Sequence, residues 1–216
     1  MERDGWRFVM PALVVGLAGL WLVESVPILA WPLIVTGFLS VLAFAFFFRD
    51  PERNPPDDPG AIVATSDGTI LEVESTPDGG VRIDTFLSVW NVHVNRAPVA
   101  GTVTESRHQP GAFAVAHLRV AGSRNERHDL VIESALGPIR SAQIAGILAR
   151  RIVCRARLGD VLGCGERIGL IRFGSRAQVF IPAGFDALVR PGSKVRGGVT
   201  VIARRGAGSM GEKDPA

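Results

Sequence analysis

The sequence predicts a mainly β protein preceded by an apolar helical hairpin, and an α+β arrangement remains an open alternative. After residue 60, short runs rich in β-branched and apolar residues recur, separated by Gly, Pro, Asp and Asn at turn-like intervals. Apolar residues make up 47% of the 216-residue chain, and their excess is concentrated in the first 48 residues. The run AQIAGILARRIV at 142–153 fits a helix as well as a strand, which is why α+β stays open.

Two uncharged runs near the N-terminus predict the hairpin. Sixteen uncharged residues lie between Arg7 and Glu24, and 24 lie from Ser25 to Phe48. The second run is long enough to cross a bilayer with some tilt, whereas the first is slightly short. We therefore predict a membrane-anchoring hairpin at 1–48. A cleaved secretory signal is the alternative, but the longer apolar run that follows disfavours it.

Arginines flank both ends of this hairpin. Arg3 and Arg7 precede it, and Arg49 and Arg53 follow it. By the positive-inside rule, both ends lie on the cytoplasmic side of the cell membrane, together with the domain that follows.

A proline-rich boundary separates the hairpin from the rest of the chain. The stretch RDPERNPPDDPG at 49–60 holds four prolines and alternating charges, so a helix cannot continue through it. We predict a linker at 49–60 and a compact β-rich domain at 61–216.

Charge and composition exclude several classes of function. The net charge is only +3, and no basic run is interleaved with aromatic residues, so no nucleic-acid partner is predicted. Cys154 and Cys164 form no CxxC motif and the four histidines form no HExxH motif, so no metal site is predicted. Lys194 and Lys213 are the only lysines.

A series of motifs indicates the family. In order, the chain contains FFFRDPERNPP, SDG at 66–68, NVHVNRAP at 91–98, NERHDLVIES at 125–134, QIAGILARRI at 143–152 and GERIGLIRFGSRAQVFIP at 165–182. Together these motifs resemble phosphatidylserine decarboxylase in its short, membrane-anchored form. The resemblance extends from the apolar hairpin to about residue 203, and its most specific element is the late Phe-Gly-Ser series.

The resemblance implies a proenzyme that cuts its own backbone between Gly174 and Ser175. The Ser175 hydroxyl would attack the Gly174 carbonyl, and elimination followed by hydrolysis would leave a covalent pyruvoyl group derived from Ser175. The products would be a β chain of residues 1–174 and an α chain of residues 175–216, held together as a heterodimer. Glycine suits the position before the serine because it has no Cβ to obstruct the attack.

The resemblance also implies a reaction and a cofactor. The pyruvoyl carbonyl would form a Schiff base with the amine of phosphatidylserine and accept electrons as carbon dioxide leaves, giving phosphatidylethanolamine. The scarcity of lysine agrees with this chemistry, because the usual alternative, pyridoxal phosphate, is held by a lysine. A phospholipid substrate explains the hairpin, because the acyl chains stay in the bilayer while the head group reacts.

Asp67 and His93 are the candidate partners of Ser175. Serine is a poor nucleophile at its normal pKa, so a base is expected nearby. The resemblance implies that Asp67 orients His93 and that His93 takes the Ser175 proton. Many longer members of the family carry a second histidine where this chain has Arg96, so it is open whether His93 serves both cleavage and decarboxylation.

Arg172 and Arg176 flank the cleavage pair and are the candidate substrate-binding residues. A guanidinium group suits phosphate and carboxylate, although both arginines also fit strand positions that face water. The NER motif, Asn125 to Arg127, is expected to form a polar network near the site.

A membrane-tethered β-domain adaptor without chemistry is the alternative function. In that interpretation the Gly-Ser pair is an ordinary turn and the chain stays whole. The occurrence of this pair after SDG, HVNRAP and NER, in that order, favours the decarboxylase.

Overall fold

A computed structural model describes residues 1–111, 125–146, 151–172 and 175–206. The chain forms two compact units, Met1–Glu52 and Arg53–Ala216. The first is helical and the second is built from strands, so the prediction of a mainly β protein with an N-terminal helical hairpin is confirmed. In the ambiguous run at 142–153, the residues on either side of the undescribed 147–150 are mostly strand.

Two apolar helices follow a short 3-10 helix at Arg3–Gly5. Helix α1 spans Trp6–Leu22 and helix α2 spans Pro27–Phe47. Pro27 occupies the first turn of α2, where its missing N–H costs no hydrogen bond. By length and composition, Arg3–Leu22 and Pro27–Phe47 are apolar enough to cross a membrane.

Glycines allow the two helices to approach closely. A Cβ added at Gly37 would overlap the backbone of Gly16, and one at Gly19 would lie 2.7 Å from the backbone nitrogen of Ile34. Small residues at such crossings allow the backbones to pack against each other, as is common in membrane helix pairs.

The second unit contains fourteen strands among its described residues. They are β1 (Ala61–Val63), β2 (Gly68–Ser75), β3 (Val81–Leu87), β4 (Val94–Arg96), β5 (Gly101–Gln109), β6 (Arg127–Ser134), β7 (Gly137–Ile144), β8 (Ile152–Cys154), β9 (Val161–Leu162), β10 (Arg167–Ile171), β11 (Ser175–Ile181), β12 (Phe185–Ala187), β13 (Lys194–Val195) and β14 (Val201–Arg205).

These strands form one large sheet and two small ones. The large sheet has the order β13-β2-β3-β11-β7-β6-β5-β9, and the small sheets have the orders β1-β14-β12 and β4-β10-β8. The strand pairs among the described residues are all antiparallel. Ile62, Ile83, Ile132, Ile168 and Ile202 come from all three sheets and share one hydrophobic core. Burying these side chains is the main stabilising contribution to the unit.

Candidate active site

Ser175 is the first residue of β11, a central strand of the large sheet. It lies opposite Leu87 of β3, on the same face of β11 as Ala177 and Val179, which point into the core. Its side chain is fully buried, and its Oγ has no hydrogen-bond partner among the described residues. The preceding Phe173 and Gly174 lie outside the described residues.

His93 is buried and is held by its own backbone neighbours. Its Nδ1 lies 2.9 Å from the carbonyl oxygen of Asn91. Because a carbonyl only accepts hydrogen bonds, Nδ1 carries the proton and Nε2 of the neutral ring carries the lone pair. The residue is therefore held in the tautomer that a general base using Nε2 requires.

The backbone of His93 is tied to the strand that leads towards Ser175. Its carbonyl oxygen accepts a hydrogen bond from the Ile171 nitrogen at 3.3 Å, where β10 ends. Ile171 is four residues before Ser175 along the chain, so the HVNRAP motif is bonded to the strand that precedes the proposed cleavage point.

A buried pair of amides supports the same segment. Asn95 Nδ2 donates to the His93 carbonyl oxygen at 3.2 Å, and Gln143 Nε2 donates to Asn95 Oδ1 at 3.1 Å. Gln143 lies on β7 directly opposite Ala177 of β11. This chain of hydrogen bonds links the His93 backbone to the strands beside Ser175.

The Asp67 carboxylate accepts hydrogen bonds from Arg53 and Gly197 rather than from His93. Its Oδ2 accepts from Arg53 Nη2 at 2.9 Å, and its Oδ1 accepts from the Gly197 nitrogen at 2.9 Å. Asp67 and Asn91 line one cavity, so the SDG motif lies near the turn that holds the His93 ring. The predicted orientation of His93 by Asp67 stays a prediction, and the Asn91 carbonyl is the partner that the structure gives to Nδ1.

The two arginines that flank the cleavage pair differ in their surroundings. Arg176 is buried on the face of β11 opposite Ser175, and its Nη1 donates to Asp84 Oδ2 at 3.1 Å. Arg172 is half-buried, and its backbone nitrogen donates to the Arg151 carbonyl at 3.3 Å. The contacts of Arg176 favour a structural role, and substrate binding by either arginine stays a prediction.

The NER motif takes part in several hydrogen bonds. Asn125 Nδ2 donates to the Ala145 carbonyl at 2.7 Å, and Glu126 accepts from His108 at 3.1 Å if that ring nitrogen carries a proton. Arg127 forms a two-pronged ion pair with Asp129.

Comparisons with known proteins identify the family. The family model described as phosphatidylserine decarboxylase matches residues 41–203. The phosphatidylserine decarboxylase proenzyme of Burkholderia ambifaria is 42% identical over 94% of this chain and 95% of its own length. The proenzyme of the same name from Nocardia farcinica is 48% identical over 77% of this chain and 75% of its own length. The chain belongs to the phosphatidylserine decarboxylase family.

Membership of the phosphatidylserine decarboxylase family makes the chain an enzyme and confirms the resemblance seen in its motifs. The relatives are named proenzymes, which means that they are made in a form that is processed.

Asn91, Asn95 and Gln143 were not identified as site residues by the sequence. Asn91 acts through a backbone carbonyl, which any residue type supplies, and Gln143 is 48 positions from Asn95 along the chain. The only indication in the sequence was that Asn91 and Asn95 lie in the NVHVNRAP motif and that Gln143 lies in the QIAGILARRI motif.

Proposed function

We propose that this chain is a self-processing decarboxylase that converts phosphatidylserine to phosphatidylethanolamine after cleavage between Gly174 and Ser175. The observation that carries the proposal is the Ser175 Oγ, which is buried without a hydrogen-bond partner among the described residues. Leaving a buried hydroxyl unsatisfied costs about 1–3 kcal/mol, so such a group calls for an explanation. A nucleophilic role in a family of proenzymes supplies one.

Cleavage uses the Ser175 hydroxyl and its own peptide bond. The Oγ adds to the Gly174 carbonyl carbon, the bond to the Ser175 nitrogen breaks, and that nitrogen takes up the hydroxyl proton, which leaves an ester. Removal of the Ser175 Cα proton then expels the Gly174 carboxylate and leaves a carbon–carbon double bond. Water converts the resulting enamine into a pyruvoyl ketone and ammonia.

His93 is the proposed proton carrier. The hydrogen bond from its Nδ1 to the Asn91 carbonyl places the lone pair of the neutral ring on Nε2, the atom that we propose takes the Ser175 proton. The fixed backbone of His93 supports this role, because Ile171 and Asn95 both donate to its carbonyl oxygen. We propose that Asp67 contributes through its charge and through the position of the 66–68 turn.

The buried position of Ser175 also fits the pyruvoyl group. When present at residue 175, this group supplies a carbonyl that can condense with an amine and withdraw electrons from the bond to the departing carboxylate. Burial beside Leu87 excludes water from that carbonyl. Arg172 remains a proposed contact for an anionic group of the substrate.

The two products are expected to stay together. Strand β11 begins at the cleavage point and lies between β3 and β7, both of which belong to the proposed 1–174 chain. Its backbone hydrogen bonds on both sides and its core side chains hold the 175–216 chain in the sheet.

The helices α1 and α2 support a membrane location. They are the proposed anchor that holds the enzyme beside its lipid substrate, and the arginines at both ends support a cytoplasmic position for the catalytic unit. Protease digestion of inverted and right-side-out membrane vesicles tests this orientation, and protection of the catalytic unit in inverted vesicles would contradict it.

Intact mass measurement tests the proposed cleavage. Wild-type protein should give two chains, 1–174 and 175–216, and the second should have no N-terminal amine and a mass that fits a pyruvoyl group. Ser175→Ala should remain one chain and release no carbon dioxide from phosphatidylserine. Ser141→Ala is the matched control, because Ser141 is a buried serine on the neighbouring strand β7 and should not affect cleavage. One uncut, folded chain in the wild type would overturn the proposal in favour of an adaptor.

A further inference from the structure

Gln143 lies beside Ser175 on the same face of the large sheet. It is directly opposite Ala177 of β11, and Ala177 lies two residues after Ser175, so the three side chains share one face. Diagonal neighbours on adjacent antiparallel strands are about 7 Å apart, which a long side chain can span. The register therefore places the proposed catalytic position within reach of the Gln143 side chain.

The hydrogen bonds of Gln143 fix the orientation of its amide. The His93 carbonyl oxygen can only accept, so the side-chain nitrogen of Asn95 must face it, at 3.2 Å. The Asn95 side-chain oxygen then faces Gln143 and also accepts, so Gln143 must present its nitrogen, at 3.1 Å. Nε2 is thereby bound to Asn95, and Oε1 is the remaining polar atom of the Gln143 side chain.

Gln143 Oε1 is buried and has no hydrogen-bond partner among the described residues. The residue as a whole is only 1% exposed. Most buried acceptors in proteins receive a hydrogen bond, so this oxygen calls for a donor. Because an amide oxygen only accepts, that donor must carry an N–H or O–H group.

Other buried oxygens in the same state are less well placed. Gln178 Oε1 also has no partner in the described part of the chain, but Gln178 lies on the face of β11 opposite Ser175. Ser66 Oγ shares this state, but Ser66 precedes β2, a strand that is not adjacent to β11. Gln143 is thus the acceptor that the strand register links to Ser175.

The proposed reaction brings a donor to this place. The amine of the substrate must bond to the ketone carbon of the pyruvoyl group, which is the former Ser175 Cα. A primary amine or ammonium group carries several N–H bonds, each of which can donate to an acceptor. The cut between Gly174 and Ser175 removes the covalent link that precedes this carbon, which gives the amine a route of approach. In a buried site, a hydrogen bond from a charged donor is strong.

We propose that Gln143 Oε1 accepts a hydrogen bond from the amine of the lipid substrate. The inference rests on the proposed function and deepens it, because it names a residue that selects lipids with an amine. Gln143 binds the amine through Oε1 and holds Asn95 through Nε2, so one side chain serves both the substrate and the segment of His93. A buried acceptor of this kind rejects a ligand that lacks the N–H group, because the oxygen would again be unsatisfied.

Binding of two lipids that differ only in the amine tests the inference. Short-chain phosphatidylethanolamine carries the amine, and short-chain phosphatidylethanol has a hydrogen atom in its place. The full chain, self-cleaved and held in phosphatidylcholine nanodiscs, is first treated with borohydride, which reduces the ketone to an alcohol so that the amine cannot bond covalently. In equilibrium dialysis, the wild-type Kd should be at least about tenfold lower for phosphatidylethanolamine than for phosphatidylethanol, and the two values should differ less than about twofold in Gln143→Met.

Gln178→Met is the matched control. Gln178 is also a buried glutamine whose Oε1 has no partner among the described residues, but it lies on the opposite face of the sheet. Its variant should keep the wild-type preference for the amine. An unchanged preference in Gln143→Met would overturn the inference and indicate that a buried water satisfies Oε1. An equal loss in both variants would also overturn it, because the loss would then reflect a general disturbance of the sheet.

A second variant keeps the test decisive if Gln143→Met does not cleave itself. Gln143→Glu retains an acceptor oxygen at this position and should prefer the amine at least as strongly as the wild type does, so a loss of preference there would overturn the inference. Mass analysis separates this result from failure of the proposed function. An uncut wild-type chain would overturn both proposals, whereas complete cleavage and carbon dioxide release without any preference for the amine would overturn the role of Gln143 alone.

Discussion

Arg176 and Asp84 form a buried ion pair across strands β11 and β3, with 3.1 Å between Nη1 and Oδ2. The Arg176 side chain is 2% exposed and the Asp84 side chain is fully buried. Burial raises the pKa of the Asp84 carboxyl, while the hydrogen bond from Gln178 and the charges of Arg82 and Arg176 oppose that rise. The residue directly after the proposed catalytic serine is thus fixed by a network on the far side of its strand.

Removing Asp84 should strongly destabilise the protein. Asp84→Ala leaves the Arg176 guanidinium buried without its counter-charge, which typically costs about 3–5 kcal/mol. Glu74→Ala is the control, because Glu74 also pairs with a sheet arginine, Arg82, but is 39% exposed, so its loss should cost at most about 1 kcal/mol. Urea unfolding of both variants in the uncut Ser175→Ala background gives the comparison. Equal losses in the two variants would contradict the structural role of the pair.

The sequence predicted the elements of the fold better than the contacts between them. Local alternation and turn residues indicate strands, and uncharged runs indicate the helices, because these signals lie within a few neighbouring residues. The partnership of Arg176 with Asp84 joins residues 92 positions apart and depends on the strand order, which no local pattern contains. The motifs name Ser175 and His93 as candidate site residues, and that assignment stays a prediction. No motif indicates Asn91, whose contribution is a backbone carbonyl.

The two cysteines should react slowly with thiol reagents in the folded protein. Burial raises the pKa of Cys154 to about 11 and also raises that of Cys164. At about pH 8, on the order of one Cys154 thiol in a thousand is then the reactive thiolate. Iodoacetamide labelling followed by mass analysis should show little modification of native protein and two modifications after denaturation. Rapid labelling of both thiols in folded protein would show that they are accessible and ionised.

His128 should make the protein more sensitive to acid. Burial, followed by the nearby His108, lowers the pKa of His128 below its ordinary value of 6.5, and Asp129 opposes this shift. Because the folded state disfavours the charged ring, the stability that the neutral ring contributes is complete above about pH 6.5 and is lost as the pH falls through the lowered pKa. In His128→Gln, the free energy of unfolding should therefore fall less between about pH 7 and about pH 5 than in the wild type. His108→Gln should give a smaller effect in the same direction, and parallel curves for wild type and His128→Gln would rule out the titration of His128 as the cause.

Where glycines allow α1 and α2 to pack closely, replacing glycine by alanine should destabilise the hairpin, which is the reverse of its usual effect in a helix. In an unobstructed helix, Gly→Ala stabilises by about 1 kcal/mol. At Gly37 the added Cβ would overlap the Gly16 backbone, so Gly37→Ala should instead lower the thermal midpoint of the helical circular dichroism signal in detergent. Val35→Ala is the control, because Val35 is 52% exposed on the same helix and should change the midpoint little. A higher midpoint in Gly37→Ala would show that the helices do not pack at this crossing.

The Asn95 amide should set the rate of self-cleavage through its hold on His93. Asn95 donates to the His93 carbonyl and accepts from Gln143, so its side chain fixes the backbone of the proposed base. A misplacement of a reacting group by about 1 Å can cost up to roughly 100-fold in rate. Asn95→Ala should therefore cleave up to roughly 100-fold more slowly than the wild type in a time course after synthesis.

Two further measurements separate this positioning role from a loss of stability. Ile83→Val should destabilise the core without slowing cleavage to the same degree, because Ile83 is buried in β3 away from the amide pair. The pH dependence of cleavage should also shift in Asn95→Ala, because a displaced His93 backbone weakens the hydrogen bond from Nδ1 to the Asn91 carbonyl that fixes the tautomer. In Ile83→Val the pH dependence should not shift. If both variants slowed cleavage equally with unchanged pH profiles, Asn95 would be supporting the fold alone.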